Sequence, residues 1–375
     1  MRLVINTSHQ RFGGAIQVAL SFITECKNFP EHDYHVWIGH GVGKSLRTED
    51  FPSNFYFYEF DFGPINFKKI REIQNTLSVL ELKINPEVII STTGPTYFHS
   101  KAPQIIGFNL PLYIYPESPY IQEMSWKAKL KLALKRKVHF HYFKRDAIAY
   151  VTQTDDVNQK VRKVLHTDKV FTVTNTASNY YKNWKIYPNL LPEKKAKVFR
   201  FICISSYYPH KNLELIPKIL EILAQKEINN VEFVVTLKEN DFKTNIGQHK
   251  QIYNIGPVSP EVCPSLYNEC DALFLPTLAE CFSASYPEAM MMEKPIITTD
   301  LGFAKSICGN AALYFKPKEA TSAAKCIIQL LEDESLHNQL IQEGREQLNK
   351  FDSPKMRARK YLELCERYKV SDRLA

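Results

Sequence analysis

The sequence predicts an α/β protein made of two doubly wound domains, each with a mainly parallel sheet. Three observations predict it. Short β-branched or aromatic runs alternate with stretches of helical periodicity along the whole chain. Several of those runs, such as VEFVVTL and DALFLP, are almost continuously apolar, as strands buried on both faces are. The alternation also runs, pauses and restarts within 375 residues, a length that suits two domains better than one core.

In the first half the runs place strands at 2–6, 34–38, 55–60, 87–91, 103–108 and 147–152, with helical periodicity at 14–28, 68–83 and 155–166. The pause is SNYYKNWKIYPNLLPEKKAK, residues 178–197, aromatic, Pro-containing and basic, with no clear period. Strands then resume at 198–204, 231–237, 251–255, 271–275, 295–299 and 311–315, with helices at 213–227, 319–332 and 335–349. The expected division is a first domain over 1–180, a linker over 181–197 and a second domain over 198–353. A polar helix over 354–369 is expected to pack back toward the first domain. Ligands on such sheets sit beyond the carboxyl ends of the strands, so the expected active site is a cleft that the two domains face across.

Composition narrows the class. Hydrophobic residues make up 44% and charged residues 23%, as in soluble globular proteins. No apolar run approaches the roughly 20 residues that span a bilayer, and MRLVINTSHQ reads as a first strand rather than a signal peptide. The eight cysteines form no CxxC pair and no zinc spacing, so they read as reduced, buried thiols of a cytoplasmic protein. The HxH of His139 and His141 has no carboxylate or cysteine close by and is a poor metal site. The formal charge is +8, and its densest part, residues 126–145, holds eight Lys or Arg and no acid. That stretch reads as a solvated face or as a contact for anionic lipid or an anionic acceptor. It lacks the interleaved aromatics of strand-binding surfaces, so nucleic acid is not an expected partner.

Three strand–helix junctions could carry chemistry. In the first, the run DALFLP ends in a turn and ECFSASYPEAMMME becomes a helix, with Ser283 or Ser285 as cap and Pro287 in the first turn. A helix start suits an anion such as a diphosphate. Glu280 before the helix and Glu288 one turn in can face the same cleft, and a carboxylate accepts two hydrogen bonds from vicinal hydroxyls. Taken alone, Ser285 to Glu288 is equally a capping box. In the second, SSYYPHKNLELI follows VFRFICIS and opens a helix with Asn212 as cap. Lys211 sits there either as a phosphate-neutralising point charge or as a solvated loop lysine. In the third, Gly13 and Gly14 follow the first strand, where backbone can approach a ligand closely or simply turn. The segment Gly39–Ser45 imitates a P-loop, but only three residues separate Gly39 from the Gly43-Lys44 pair where that motif needs four.

With those residues in place, the chain resembles the retaining glycosyltransferases of family 4, which have the GT-B fold of two Rossmann-like domains facing across a cleft. Glu280 to Glu288, with seven residues between, is similar to their E-x7-E motif. The strand from Pro295 to Asp300, the segment Ala311–Phe315 and the Ile255-Gly256 turn resemble the family's C-terminal landmarks in order. Gly13-Gly14, Val151–Thr154 and Val173–Asn175 resemble looser N-terminal ones.

The resemblance implies a metal-independent, retaining transfer of a sugar, a hexose by type, from a UDP- or GDP-sugar to a glycan or lipid-linked acceptor, with no cofactor. It implies Glu288 on the nucleotide ribose, Glu280 on hydroxyls of the sugar, and backbone at Phe282, Ser283 and Ala284 on sugar and phosphate. It places Lys211 on the leaving diphosphate.

Two departures stand out. The arginine many relatives carry upstream of the lysine is replaced by Ser205-Ser206-Tyr207, leaving His210 and Lys238 as candidate helpers beside Ser206. The histidine many relatives carry after an N-domain strand is replaced by Asn109, which can bond a hydroxyl but cannot act as a base. The rival readings are a catalytically inactive sugar-nucleotide binder and a GT-B-fold nucleotide-sugar epimerase.

Overall fold

A computed structural model describes residues 1–11, 13–182, 184–187 and 190–370. In chain order the elements begin β1 (Arg2–Asn6), α1 (Gly14–Glu25), β2 (Asp33–Gly39), α2 (His40–Gly43), β3 (Phe55–Phe60), α3 (Phe67–Ile84), β4 (Val88–Ser91) and β5 (Gln104–Gly107). Next come α4 (Pro119–Gln122), α5 (Trp126–Asp146), β6 (Ala149–Thr152), α6 (Asp155–Leu165) and β7 (Val170–Thr172). The chain continues with β8 (Phe199–Cys203), α7 (Leu215–Gln225), β9 (Val231–Val235), α8 (Glu239–Asn245), β10 (Ile252–Asn254), α9 (Cys263–Asn268) and β11 (Ala272–Leu275). It closes with α10 (Ser285–Met291), β12 (Ile296–Thr299), α11 (Gly302–Cys308), β13 (Ala312–Phe315), α12 (Ala320–Glu332), α13 (Glu334–Leu348) and α14 (Pro354–Tyr368).

The chain forms two compact units. Unit 1 is Met1–Ile114, Ser125–Asn175 and the segment from Asp352 on; unit 2 is Tyr115–Met124 and Thr176–Phe351. Unit 1 holds a seven-stranded sheet in the order β3-β2-β1-β4-β5-β6-β7, and every pairing is parallel. Unit 2 holds a six-stranded, equally parallel sheet in the order β10-β9-β8-β11-β12-β13. Both orders reverse once, between β1 and β4 and between β8 and β11. The α/β, doubly wound, Rossmann-like class read from the sequence is therefore the class of both units.

The period-2 geometry of strands explains the cores. On one face of the first sheet, Leu3 and Ile5 join Tyr34, Val36, Val88, Ile90 and helix α1. On the other, Val4, Trp37 and Ile89 join Ile73 and Leu77 of α3. Each fully buried side chain of this kind contributes roughly 1.5–3 kcal/mol.

The described structure departs from the expected elements in two places. Strand β7 was not expected, because a three-residue edge strand leaves almost no periodicity to read. The short helices α8, α9 and α11, of six or seven residues, fall below the window in which a helical period shows. The described residues of the expected linker, 181–182, 184–187 and 190–197, are grouped with unit 2, and residues 183, 188 and 189 lie outside the described residues. Ser265 Oγ accepts from the Tyr187 N–H at 3.0 Å and donates to the Lys185 carbonyl at 2.9 Å. Lys194 pairs with Asp271 at 2.7 Å, and the Pro192 carbonyl accepts from Arg200.

Helix α14 lies in unit 1, where Tyr361 meets Phe22 edge-on at 5.0 Å. The buried Arg357 donates to Ser21 Oγ at 2.5 Å and to Asn175.

Candidate functional site

The richest constellation is in unit 2, at the loops that follow β8 and β11. These strands are neighbours at the order reversal, which is where ligands bind on such sheets. After β8 the chain makes a 3-10 turn at Pro209–Lys211 and leaves it through Asn212, in the left-handed region at φ 56°. An asparagine tolerates that conformation better than most residues do. Asn212 therefore does not cap α7, whose N-cap residue is Glu214; its side chain instead reaches the Pro276 carbonyl at 3.4 Å.

The two loops are stitched together. The Leu278 N–H donates to the His210 carbonyl at 2.8 Å, and Thr277 Oγ1 donates to the same oxygen at 3.4 Å. This stitching brings Lys211 against Glu280. The two side chains form an ion pair and are 15% and 13% exposed, and Glu280 Oε1, 3.3 Å from Thr277 Oγ1, shares that hydroxyl's one proton with the His210 carbonyl. A charged pair this enclosed is felt strongly by any ligand entering beside it.

Sequence reasoning missed the cover over these loops. The insertion Tyr115–Met124 belongs to unit 2, and its buried Ser118 donates to the Leu278 carbonyl at 2.8 Å. Tyr120 lies edge-on to His210 and Tyr208 stacks on it. Burial lowers the His210 pKa to about 4, Glu280 opposing and Lys211 adding to the shift. The ring is thus neutral near pH 7, and it offers hydrogen bonds, not the positive charge of the arginine it was a candidate to replace. Lys238 and Ser206 are exposed on the loops after β9 and β8. Gly256 follows β10 at φ 77°, a conformation that favours glycine.

Helix α10 differs from its expected start. Ala284 is the N-cap residue and makes no side-chain capping bond, so neither Ser283 nor Ser285 caps the helix and the capping box does not form. Glu288 is left available for another role. Burial raises its carboxyl to about 7, while the Tyr181 hydroxyl favours the charged form. That hydroxyl is buried and stands near the carboxyl without regular hydrogen-bond geometry. The residue as a whole keeps some solvent access. Phe282 packs edge-on against Phe351 at 5.9 Å. Among the described residues, the N–H groups of Phe282, Ser283 and Ala284 donate to no protein acceptor.

The remaining expected residues, Gly13, Gly14 and Asn109, lie in unit 1. Gly13 has φ 82°, and a Cβ added at either glycine would meet no atom of the described residues within 4 Å. Asn109 accepts from Thr93 Oγ1, and His9 Nε2 meets the Thr93 carbonyl at 3.0 Å. His9 follows β1 and was not singled out in the sequence, because a lone histidine in a loop carries no pattern. Burial lowers its pKa to about 4, and its Nδ1 is buried with no partner among the described residues.

His139 bridges Tyr97 and Tyr113 at 3.1 Å each, as a bonded core histidine does. The P-loop imitation folds into the short α2, and Gly39 is needed there because a Cβ would lie 2.3 Å from the Thr7 carbonyl oxygen. Among the described residues, no three His, Cys, Asp or Glu side chains cluster to hold a metal. No described helix is long and apolar enough to cross a membrane.

Comparison with known proteins gives the class. Residues 190–347 match the family model of glycosyl transferases group 1. The chain is 23% identical over 262 residues to the O-antigen chain mannosyltransferase RfbU of Salmonella typhimurium, covering 66% of this chain and 67% of that one. Among solved structures it is similar to sucrose-phosphate synthase from Thermosynechococcus elongatus, with a TM-score of 0.73, 12% identity and 98% and 99% of the two chains covered. It is also similar to HepE from Anabaena, solved with UDP and glucose, with a TM-score of 0.70, 15% identity and the same coverage. At these identities the structural likeness is one of fold. Fold and matched domain together define the class as a glycosyltransferase.

Proposed function

We propose that the chain is a retaining, metal-independent glycosyltransferase of the E-x7-E kind, moving a hexose from a UDP- or GDP-sugar to a glycan or lipid-linked acceptor. The observation that carries this reading is the Lys211–Glu280 pair at the order reversal of unit 2, with Glu288 one helical turn into α10.

In this reading Glu288 accepts both ribose hydroxyls and Glu280 accepts from hydroxyls of the sugar. Phe282, Ser283 and Ala284 offer their N–H groups to the diphosphate. As the bond from the anomeric carbon to the phosphate oxygen breaks, negative charge builds on the diphosphate, and Lys211 stabilises it in place of a metal. The acceptor hydroxyl attacks from the face the diphosphate leaves, and its proton passes to a leaving phosphate oxygen. His210, Ser206, Lys238 and Gly256 line the donor side. Gly13, Gly14 and Asn109 are the candidate site residues of unit 1.

RfbU is a mannosyltransferase of O-antigen chains and HepE was solved with UDP and glucose, which favours a hexose and a polysaccharide product. The basic stretch 126–145 docks the chain on the anionic inner face of the cytoplasmic membrane, where lipid-linked acceptors present their glycans.

The test is turnover of a panel of UDP-, GDP- and ADP-sugars in EDTA, with the anomeric configuration of the product read by NMR. One donor should turn over and give the donor's own anomer. An inverted anomer, or activity only with added metal, overturns the mechanism. Binding without turnover toward any acceptor points to an inactive binder, and C2 inversion of the free sugar nucleotide to an epimerase.

A further inference from the structure

Helix α5 is fastened by its later half. Its buried residues are Phe143 and Asp146, whereas over 126–138 every position is exposed except the half-buried Leu132 and Arg136. At about 100° per residue, Leu132, Arg136 and Phe143 fall on one inward face. Trp126, Leu130, Leu134 and Val138 recur every fourth residue within an arc of about 120° on the outward side. Their exposures are 70%, 53%, 58% and 41%. The sequence alternation of Leu130, Leu132 and Leu134 hides this stripe; the fold reveals it by turning Leu132 inward.

Beside the stripe lies a groove of about 370 Å³ between α5 and α6. Arg136, Lys137, His141 and Lys144 line it over a floor that includes Phe140 and Val164. Arg136 lies over the Phe140 ring at 5.0 Å, and its Nε is buried with no partner among the described residues. Among the described residues, none of these four side chains is in an ion pair. A basic, acid-free groove with an apolar floor, flanked by an exposed apolar stripe, matches a phosphate with hydrocarbon attached to it. A second copy does not fit, because facing stripes would bring like charges together.

We propose that this groove clasps the phosphate of an anionic phospholipid headgroup while Trp126, Leu130, Leu134 and Val138 enter the acyl-chain boundary, so that α5 lies in the plane of the bilayer. The inference deepens the membrane-docking reading and rests on it.

Flotation of the full chain at low salt separates the two. The vesicles are phosphatidylcholine alone, or phosphatidylcholine with phosphatidylglycerol. The wild type should float only with phosphatidylglycerol. Arg136→Ala with Lys144→Ala should weaken flotation roughly tenfold or more, as should Leu130→Ser with Leu134→Ser. Brominated acyl chains should quench tryptophan emission in the wild type and far less in Trp126→Phe.

If the groove pair floats like the wild type, the groove assignment is wrong although docking stands. If the wild type floats with neither vesicle, docking itself is wrong. Displacement by inorganic phosphate at concentrations too low to screen charge makes the groove a free-phosphate site. Binding to an RNA oligomer through Arg136 and Lys144 but not to vesicles makes it a nucleic-acid contact. Either of the last two overturns the proposal. Flotation needs no turnover, so failure here leaves the transferase reading untouched.

Discussion

Glu280 and Glu288 stand one motif apart and in opposite electrostatic settings. Glu280 is held by Lys211 and Thr277, whereas Glu288 sits in a crowded pocket where burial raises its pKa to about 7. Lys211→Ala should lower kcat/KM by roughly a hundredfold or more, as removing a preorganised partner of developing charge does, read by steady-state kinetics with the preferred donor. The raised Glu288 pKa also fixes a pH dependence. Between its unfolded value near 4.5 and about 7 the folded state binds the proton and the unfolded state does not. Its contribution to stability is therefore full below pH 4.5 and is lost as pH rises through 7. Glu288→Gln should flatten that part of a melting-temperature profile in the absence of nucleotide, and a slope equal to the wild type's would remove Glu288 as its source.

At the scale of elements, the loops proposed to be functional follow the strands at the order reversals, and their glycines can be tested apart from the fold. A Cβ at Gly14 would meet no atom of the described residues within 4 Å, and Gly14 begins α1. Gly14→Ala should thus leave the melting temperature unchanged or slightly raised, since alanine suits a helix by up to about 1 kcal/mol. Turnover should fall if backbone there approaches the donor; equal turnover would make the glycine a plain turn. Much of this level was legible in the sequence. The apolar runs located twelve of the thirteen strands among the described residues, because buried parallel strands leave continuous hydrophobic segments. Lys211 and Glu280 were legible as loop residues but not as a pair, since their contact depends on β8 and β11 being neighbours. The capping box failed because a three-residue spacing does not say where a helix begins; the turn after β11 puts Ala284 at the cap. The stripe on α5 was hidden because periodicity cannot tell which side of a helix packs.

At the scale of the molecule, neither unit is a continuous stretch of chain. Unit 1 is completed by α14, whose Ala358, Tyr361, Leu362 and Cys365 belong to the same core as Ile5, Phe22 and Val36. Ending the chain at 353 should therefore expose that core and unfold unit 1, read as loss of protease resistance over 1–114, while unit 2 keeps its own sheet. The sequence places a polar helix here and expects it to return to the first domain; which core residues it meets depends on the fold, because spacing along the chain does not show them. The central claim concerns unit 2: its strand-end loops hold a nucleotide diphosphate through Lys211 and Glu288. Calorimetric titration of UDP, GDP and ADP in EDTA into the wild type, Lys211→Ala and Glu288→Gln tests it most directly. The account predicts that at least one nucleotide binds the wild type and that each substitution weakens it roughly tenfold or more. Absence of binding by all three nucleotides, or equal affinity in both variants, would contradict it.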